Sequence, residues 1–479
     1  MDVCTIIAKN YLAHARVLAE SFSATHPQAT CHVLILDEYE GYLDPGAEAF
    51  ELTTPAELQI DGFEKMAAAY DVLELSTAVK PWLLRTLLER TSGAGIVYLD
   101  PDIEVFGSLE PIEELMREHG LVLIPHLTAP MPRDGRKPSE TDILIAGAYN
   151  PGFIGLGNDE AAQELLDWWS ERLRTGGSVD PERGYFVDQR WMDFAPGIVE
   201  SLETLRDPGY DVAYWNLPSR RLARVEGKWT VNGEPLRFFH YSGYDPDNPN
   251  ELSRHQDRIR LRDDPLVAEL CNGYRHALLR HGYRDAQRWE YSYGRLANGL
   301  KLDTTMRRML PDALEEGVGD SLFTPEGGDA FLAWLKGSAG VGAAHGINRY
   351  LQAVHDGRPD LQRAYPNLDG PDGAGYAGWA RVYGPQDVPI PEELLPPPPR
   401  EPLPAPSTST APQVPGAEAG RPRRRPDAEA RRWGVNVIGY LHSELGIGEA
   451  ARQVITALDA GGIRAAPVGL VAPLSRQGQ

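Results

Sequence analysis

The segment YLDPDIEVF, residues 98–106, decides how this chain reads. The apolar run over 95–99 predicts a buried strand that delivers Asp100 and Asp102 to a loop. Pro101 between them fixes a non-helical turn. Two carboxylates one residue apart can share a divalent cation, one of them directly and the other through water. Hard oxygen ligands of this kind suit Mn²⁺ or Mg²⁺. Asp-x-Asp recurs by chance in acidic chains, and a solvated turn capped by Asp102 is the plain alternative. The strand end gives the motif its weight.

Outward from that strand, short β-branched runs alternate with amphipathic stretches. Strands are expected at 3–8, 31–36 and 121–125, and helices at 11–25 and 77–90. Alternation of this type, with nearly continuous apolar strands, predicts an α/β domain: a mostly parallel sheet covered on both faces. Ligands of such sheets bind beyond the carboxyl ends of the strands. Asn10, Asp37 and Asp100 all fall there. From about residue 252 to 383 the apolar spacing turns to three and four, a helical extension whose aromatics (Trp289, Tyr291, Tyr293, Trp334, Tyr350 and Trp379) read as core. Residues 385–432, with prolines at 396–399 and an arginine cluster at 421–425, read as an extended spacer. The expected division is therefore a sheet domain over 1–250, a helical extension over 251–384, the spacer, and 433–479 as the opening strand–loop–helix of a second α/β domain.

A second chemical signal is FFHYSGYDP, residues 238–246, where His240 follows a short apolar strand and could complete an Asp/Asp/His metal set. A satisfied structural histidine is the bland reading. Lys80, in STAVKPWLLRTLL, stands near an expected helix start, whose free amides favour anions; the alternative is a solvated lysine. In NPGFIGLG, residues 150–157, the glycines would let backbone approach a ligand closely; the alternative is a loop crossing the sheet. Trp191 and Trp215 could stack on a sugar ring or pack in the core.

Taken in order, TIIAKNYLAHARVLAESF, YLDPDIEVF, NPGFIGLG, FVDQRWMDF and FFHYSGYDP resemble GT-A-fold glycosyltransferases, closest to the retaining family-8-like enzymes, over about residues 3–245. The resemblance implies that Ala8 and Asn10 cradle a nucleoside, with Asp37 also on the nucleotide-sugar side. It implies that Asp100, Asp102 and His240 bind the metal holding a donor diphosphate. Asn150 and Gly152 would contact the donor sugar, with Asp188 and Gln189 near its anomeric face. The family's HxxGxxKPW ending is here HYSGYDP, without the lysine that grips phosphate, and Lys80 is the candidate replacement. The implied partners are a nucleotide-diphosphate sugar, a UDP-sugar favoured, and a glycan, lipid-linked or protein acceptor. The tail, VNVIGYLHSELGIGEAARQVITAL, resembles the opening of a GT-B glycosyltransferase domain. Together these suggest surface polysaccharide or glycoconjugate assembly.

Bulk properties set limits. The 479 residues carry a formal net charge of -22, from 69 acidic and 47 basic side chains, which argues against nucleic acid as a partner. Three scattered cysteines without a CxxC pair read as buried thiols of a cytoplasmic protein. No apolar run is long enough for a membrane span, leaving at most a peripheral association with the inner membrane face. Rival readings are a non-catalytic sugar-nucleotide-binding module and a haloacid-dehalogenase-type phosphohydrolase. The latter usually has Thr or Val where this chain has Glu104.

Overall fold

The computed structural model describes residues 1–398 except 92, 320 and 339, and in the tail 434–439, 454, 458 and 464–469. Residues 1–398 form one compact unit. Its strands are β1 (Asp2–Ile7), β2 (Cys31–Ile35), β3 (Glu51–Thr53), β4 (Gly95–Leu99), β5 (Ile103–Val105), β6 (Leu121–Pro125) and β7 (Tyr149–Gly157). The helices among them are α1 (Leu12–Thr25), α2 (Phe63–Ala69), α3 (Val72–Ala78), α4 (Lys80–Arg90), α5 (Glu110–Glu118), α6 (Glu140–Ala146) and α7 (Glu160–Leu173). A seven-stranded sheet runs Leu202–Thr204, β6, β7, β4, β1, β2, β3. Every pairing is parallel except the two made by β7. The expected α/β class, a mostly parallel sheet followed by a helical extension, is therefore found.

The continuous apolar strands follow from burial on both faces. Cys4, Ile6, Ile96, Tyr98, Leu121 and Leu123 pack under α4 and α7. Val3, Ile7, Val97, Leu99, Val122 and Ile124 alternate with them and pack under α1 and α5. All three cysteines are free and buried.

NPGFIGLG is neither an open loop nor a crossing segment. It is most of β7, inserted antiparallel between β4 and β6. Its glycines serve packing: a Cβ on Gly155 would sit 3.1 Å from Val122, and one on Gly157 would stand 2.8 Å from the Met116 carbonyl. The single helix expected over 77–90 is instead α3 and α4, meeting at Val79. Val79 keeps helical dihedrals, and its carbonyl accepts from the Trp82 and Leu83 amides. The Val79 amide donates to the Leu75 carbonyl, the Trp82 amide is paired and Pro81 has no N–H, which leaves little of the free helix N-terminus expected at Lys80.

The later helices divide between two cores. The helix Pro265–Arg280 packs on α1 through Val267, Leu270, Tyr274 and Leu278 against Ala13 and Val17. Residues 296–395 build a separate cluster around Met306, Phe331, Tyr350 and Tyr376. Order runs past 385, where the spacer was expected to begin. A helical turn at Gly384–Asp387 is followed by buried Ile390 and Leu394, which supply the apolar contacts that proline-rich composition hides. The rest of the expected spacer lies outside the described residues. In the second unit Gly434–Gly439 and Arg464–Gly469 pair in parallel, and the loop expected between them lies outside the described residues. No helix among the described residues is long and apolar enough to cross a membrane.

Candidate metal centre

β4 ends at Leu99, and its direction carries Asp100 to the carboxyl edge of the sheet. β7 begins at that same edge, so the Asp100 amide donates to the Gly152 carbonyl at 2.8 Å. A turn then reverses the chain into β5, which pairs antiparallel with the strand Phe238–His240 and sets His240 opposite Ile103. The Tyr241 amide donates to the Asp102 carbonyl at 2.8 Å. Ladder register thus brings the distant histidine to the aspartates. His240 Nε2 lies 3.1 Å from Asp102 Oδ1 and 3.7 Å from Asp100 Oδ2. One ligand atom from each of the three residues falls within 4.8 Å of the others.

The residues present fit a divalent ion. Two carboxylate oxygens and an imidazole nitrogen form a donor set that Mn²⁺ or Mg²⁺ accepts. Gly152 lets the β7 backbone lie close against them: a Cβ there would come within 2.5 Å of Asn150 Oδ1, 2.7 Å of His240 Cε1 and 2.8 Å of Asp100 Oδ2. Charge agrees as well. Burial raises the Asp100 carboxyl's pKa, although Lys80 and His240 pull against it. Burial also opposes ionisation of Asp102, but His240 prevails and holds its pKa low. On His240 itself, burial is outweighed by the carboxylates of Asp102 and Asp211, which lift the imidazole well above its ordinary pKa.

Beside this centre is a second buried pair. Lys80, only 1% exposed, places Nζ 2.7 Å from Asp188 Oδ2 and 4.0 Å from Asp100 Oδ1. It also donates to the Pro151 carbonyl at 2.9 Å and sits 4.3 Å from the centre of the Tyr98 ring. Lys80 is therefore neither solvated nor a free phosphate clamp at a helix start. Burial lifts Asp188 to a pKa of about 6, against the pull of Lys80. Gln189 Nε2 donates to the Ala146 carbonyl at 2.9 Å, tying the end of α6 to this edge. Asn150 Oδ1 accepts from the Gly152 amide at 2.6 Å and shapes the bend at the start of β7.

The nucleoside-side expectations divide. Ala8 and Asn10 follow β1 at the same sheet edge, and Asn10 Oδ1 is a buried acceptor without a partner among the described residues. Asp37, by contrast, is closed off. Its oxygens accept from the Lys9 and Ser292 amides at 2.9 and 3.0 Å, and Lys9 Nζ lies 3.3 Å away. It ties the end of β2 to the later helical segment. Trp215 is likewise no platform: it is wedged edge-on between His126 and His240, at 5.3 and 5.2 Å. Trp191 donates to the Gly176 carbonyl and packs against Trp168 and Tyr185.

Three residues were not singled out by sequence. Tyr11, 39% exposed beside Asn10, stacks on His14 at 4.3 Å. Lys9 is the buried partner of Asp37. Asp211, fully buried, takes the far side of His240, with Oδ1 3.1 Å from Nδ1. The pattern GYDVAYWN around Asp211 carries no sign of a contact 29 residues away.

No family model matches the chain. It is 25% identical over 279 residues to the uncharacterized protein YfnF of Bacillus subtilis (strain 168), spanning 56% of this chain and 89% of that one. It is 29% identical over 100 residues to YfnD of the same organism, spanning 20% of this chain and about a third of that one, 32%. Among solved structures it is similar to the galactosyltransferase LgtC in complex with donor and acceptor sugar analogs. That likeness has 16% identity and a TM-score of 0.37, covering 58% of this chain and 96% of that one. The glycosyltransferase GlyE of Streptococcus pneumoniae TIGR4 gives 14% identity and a TM-score of 0.34, covering 60% of this chain and 64% of that one.

Proposed function

We propose that this chain is a metal-dependent glycosyltransferase that moves a sugar from a nucleotide-diphosphate donor, a UDP-sugar favoured, to a glycan, lipid-linked or protein acceptor. One observation carries the reading: Asp100, Asp102 and His240 converge at the carboxyl edge of a parallel sheet, beside the side-chain-free Gly152 and the buried Lys80–Asp188 pair.

A Mn²⁺ or Mg²⁺ ion held by those three residues would supply Lewis-acid stabilisation of the leaving diphosphate. A single pair of unit charges at about 4 Å is worth roughly 4 kcal/mol at an effective dielectric near 20. The chain's own residues do the rest. Asn150 and Gly152 would contact the donor sugar beside the metal set, and a side chain at 152 would clash with Asn150, His240 and Asp100. Asp188, buried and ion-paired, offers its carboxylate to the positive charge that develops on the sugar. Lys80 holds that carboxylate in place and offsets its burial. Gln189, bonded to the Ala146 carbonyl, braces the same wall. Asn10 offers an unpartnered acceptor to the nucleoside, Ala8 lines its backbone side, and Tyr11 offers an exposed ring to the base. Arg254, whose amide donates to the Gly243 carbonyl at 3.0 Å and whose Nε lies 3.3 Å from His255 Nε2, is the basic residue beside the HYSGYDP turn that would stand in for the missing lysine.

Retention at the anomeric carbon, a role in surface polysaccharide or glycoconjugate assembly, and work in the cytoplasm or at the inner membrane face belong to the same proposal and rest on the sequence resemblance. The test is a panel of UDP- and GDP-sugars, with and without Mn²⁺, scored for nucleotide release. Metal-dependent release from one donor, lost in Asp100→Ala and Asp102→Ala, is expected. Release that survives both substitutions overturns the reading.

A further inference from the structure

A ligand histidine must present a lone pair to its cation, so its other nitrogen must carry the proton. In His240 the nitrogen facing Asp100 and Asp102 is Nε2, which leaves Nδ1 to donate. Nδ1 points at Asp211 Oδ1, 3.1 Å away, and Asp211 is wholly buried.

The segment carrying Asp211 is built to hold that carboxylate still. Asp211 has φ +52°, a left-handed conformation that side-chain-bearing residues seldom adopt. Asn216 fixes it from both ends: Nδ2 donates to the Asp211 carbonyl at 2.7 Å, and Oδ1 accepts from the Ala213 amide at 3.0 Å. The next residue, Val212, bridges to the histidine's own strand, and its carbonyl accepts from the His240 amide at 2.9 Å. Arg220, also buried, reaches in behind and donates Nη1 to the Tyr210 carbonyl. Its Nε and Nη2, like Asp211 Oδ2, have no hydrogen-bond partner among the described residues. Trp215, edge-on at 5.2 Å, closes the remaining side of the imidazole.

We propose that Asp211 is a positioning residue, which fixes His240 as the Nδ1-protonated tautomer and turns Nε2 toward a divalent cation shared with Asp100 and Asp102. Arg220 and Asn216 act one step further out, by holding the strained segment that carries Asp211. The proposal rests on the metal-dependent reading given above, and it adds a fourth residue to the centre without making it a ligand.

The test is Mn²⁺ binding to the full chain, followed by the loss of the free-ion paramagnetic resonance signal and by calorimetry. Asp211→Ala, Asp211→Asn, His240→Ala and the double variant Asp211→Ala/His240→Ala are compared with the unaltered chain. Removing an outer partner of a ligand histidine lowers metal affinity about 10–100-fold, and that loss is expected in Asp211→Ala. The double variant should bind no more weakly than His240→Ala alone, because Asp211 acts only through the imidazole. Melting midpoints in metal-free buffer separate lost positioning from lost folding. Should Asp211→Ala melt early, Asp211→Leu, close to it in size and without an acceptor for Nδ1, carries the comparison, and Asp211→Asn, which keeps an acceptor, should lose less affinity than either. Unchanged affinity in the variant that folds, or losses that simply add in the double variant, overturns the role of Asp211 and leaves the metal centre standing. Failure of the unaltered chain to bind Mn²⁺ overturns the metal reading itself.

Discussion

Gly152 shows how little space separates sheet from site at the level of one residue. A methyl group there would overlap atoms of Asn150, His240 and Asp100 together, one of them backed by the β7 bend and two belonging to the metal set. Gly152→Ala should therefore weaken Mn²⁺ binding by tenfold or more, about 1.4 kcal/mol or above. The sheet, anchored elsewhere along β7, should keep its melting midpoint within a few degrees. Lys80 gives a prediction of the other kind. In Lys80→Met the Asp188 carboxyl keeps its burial and loses its counter-charge, a change that ordinarily costs about 3–5 kcal/mol. The pH dependence has a definite sign. Burial already raises Asp188 to about 6 in the folded chain, so the folded carboxyl holds its proton more tightly than the unfolded one. Stability from this group is then fullest at low pH and is lost as pH rises through that value. Without Lys80 the loss is larger. The stability gap between variant and unaltered chain should widen from pH 5 to pH 7.5, as read by thermal melting in metal-free buffer; a gap independent of pH would show that Lys80 acts by packing alone.

Among the elements, one side chain fastens the helix Thr304–Glu315 to the end of α2. Arg307, in the helix Thr304–Glu315, donates Nη1 to the carbonyls of Ala67, Ala68 and Tyr70 at the end of α2, and Nη2 to the carbonyl of Tyr293. A guanidinium at a helix C-terminus satisfies carbonyls that have no partner within the helix and meets the negative end of its dipole. Arg307→Met leaves those acceptors buried and unpaired, a loss of roughly 2–4 kcal/mol. Limited proteolysis should then cut residues 296–395 before the sheet core, whereas equal protection of both would refute the anchoring role. Legibility at this scale followed the kind of contact. The strands β1, β4 and β6 announced themselves as apolar runs because both faces are buried, and their direction put Asp100 at the correct edge. β7 was not legible as a strand, since its glycines are dictated by neighbours on α5 and β6 that its own sequence does not name. The contacts of Asp37 and Asp211 were not legible for the same reason: each is decided by a partner far along the chain, Ser292 for one and His240 for the other.

At the scale of the whole molecule, the question is where the working unit ends. Composition suggested a sheet domain over 1–250, yet α1 is covered by the helix Pro265–Arg280, which lies beyond that limit. Ending the chain at residue 250 would strip Val267, Leu270, Tyr274 and Leu278 from Ala13, Val17 and Tyr241. Large apolar side chains are each worth about 1.5–3 kcal/mol when buried, so losing these contacts removes roughly 6–12 kcal/mol. That is comparable to the entire stability of an ordinary domain, about 5–15 kcal/mol. The compact unit instead runs from Met1 to Pro398 and takes in the cluster closed by Ile390 and Leu394. A chain ended after Pro398 should therefore melt at the temperature of the full chain and bind Mn²⁺ within about twofold of it, since every residue of the metal set and its supports lies inside that unit. A chain ended at 250 should be recovered only as aggregate. If the shorter piece folded with intact metal affinity, α1 would need no cover from the helix after it; if the 398-residue piece lost affinity tenfold, residues beyond it would have to complete the site.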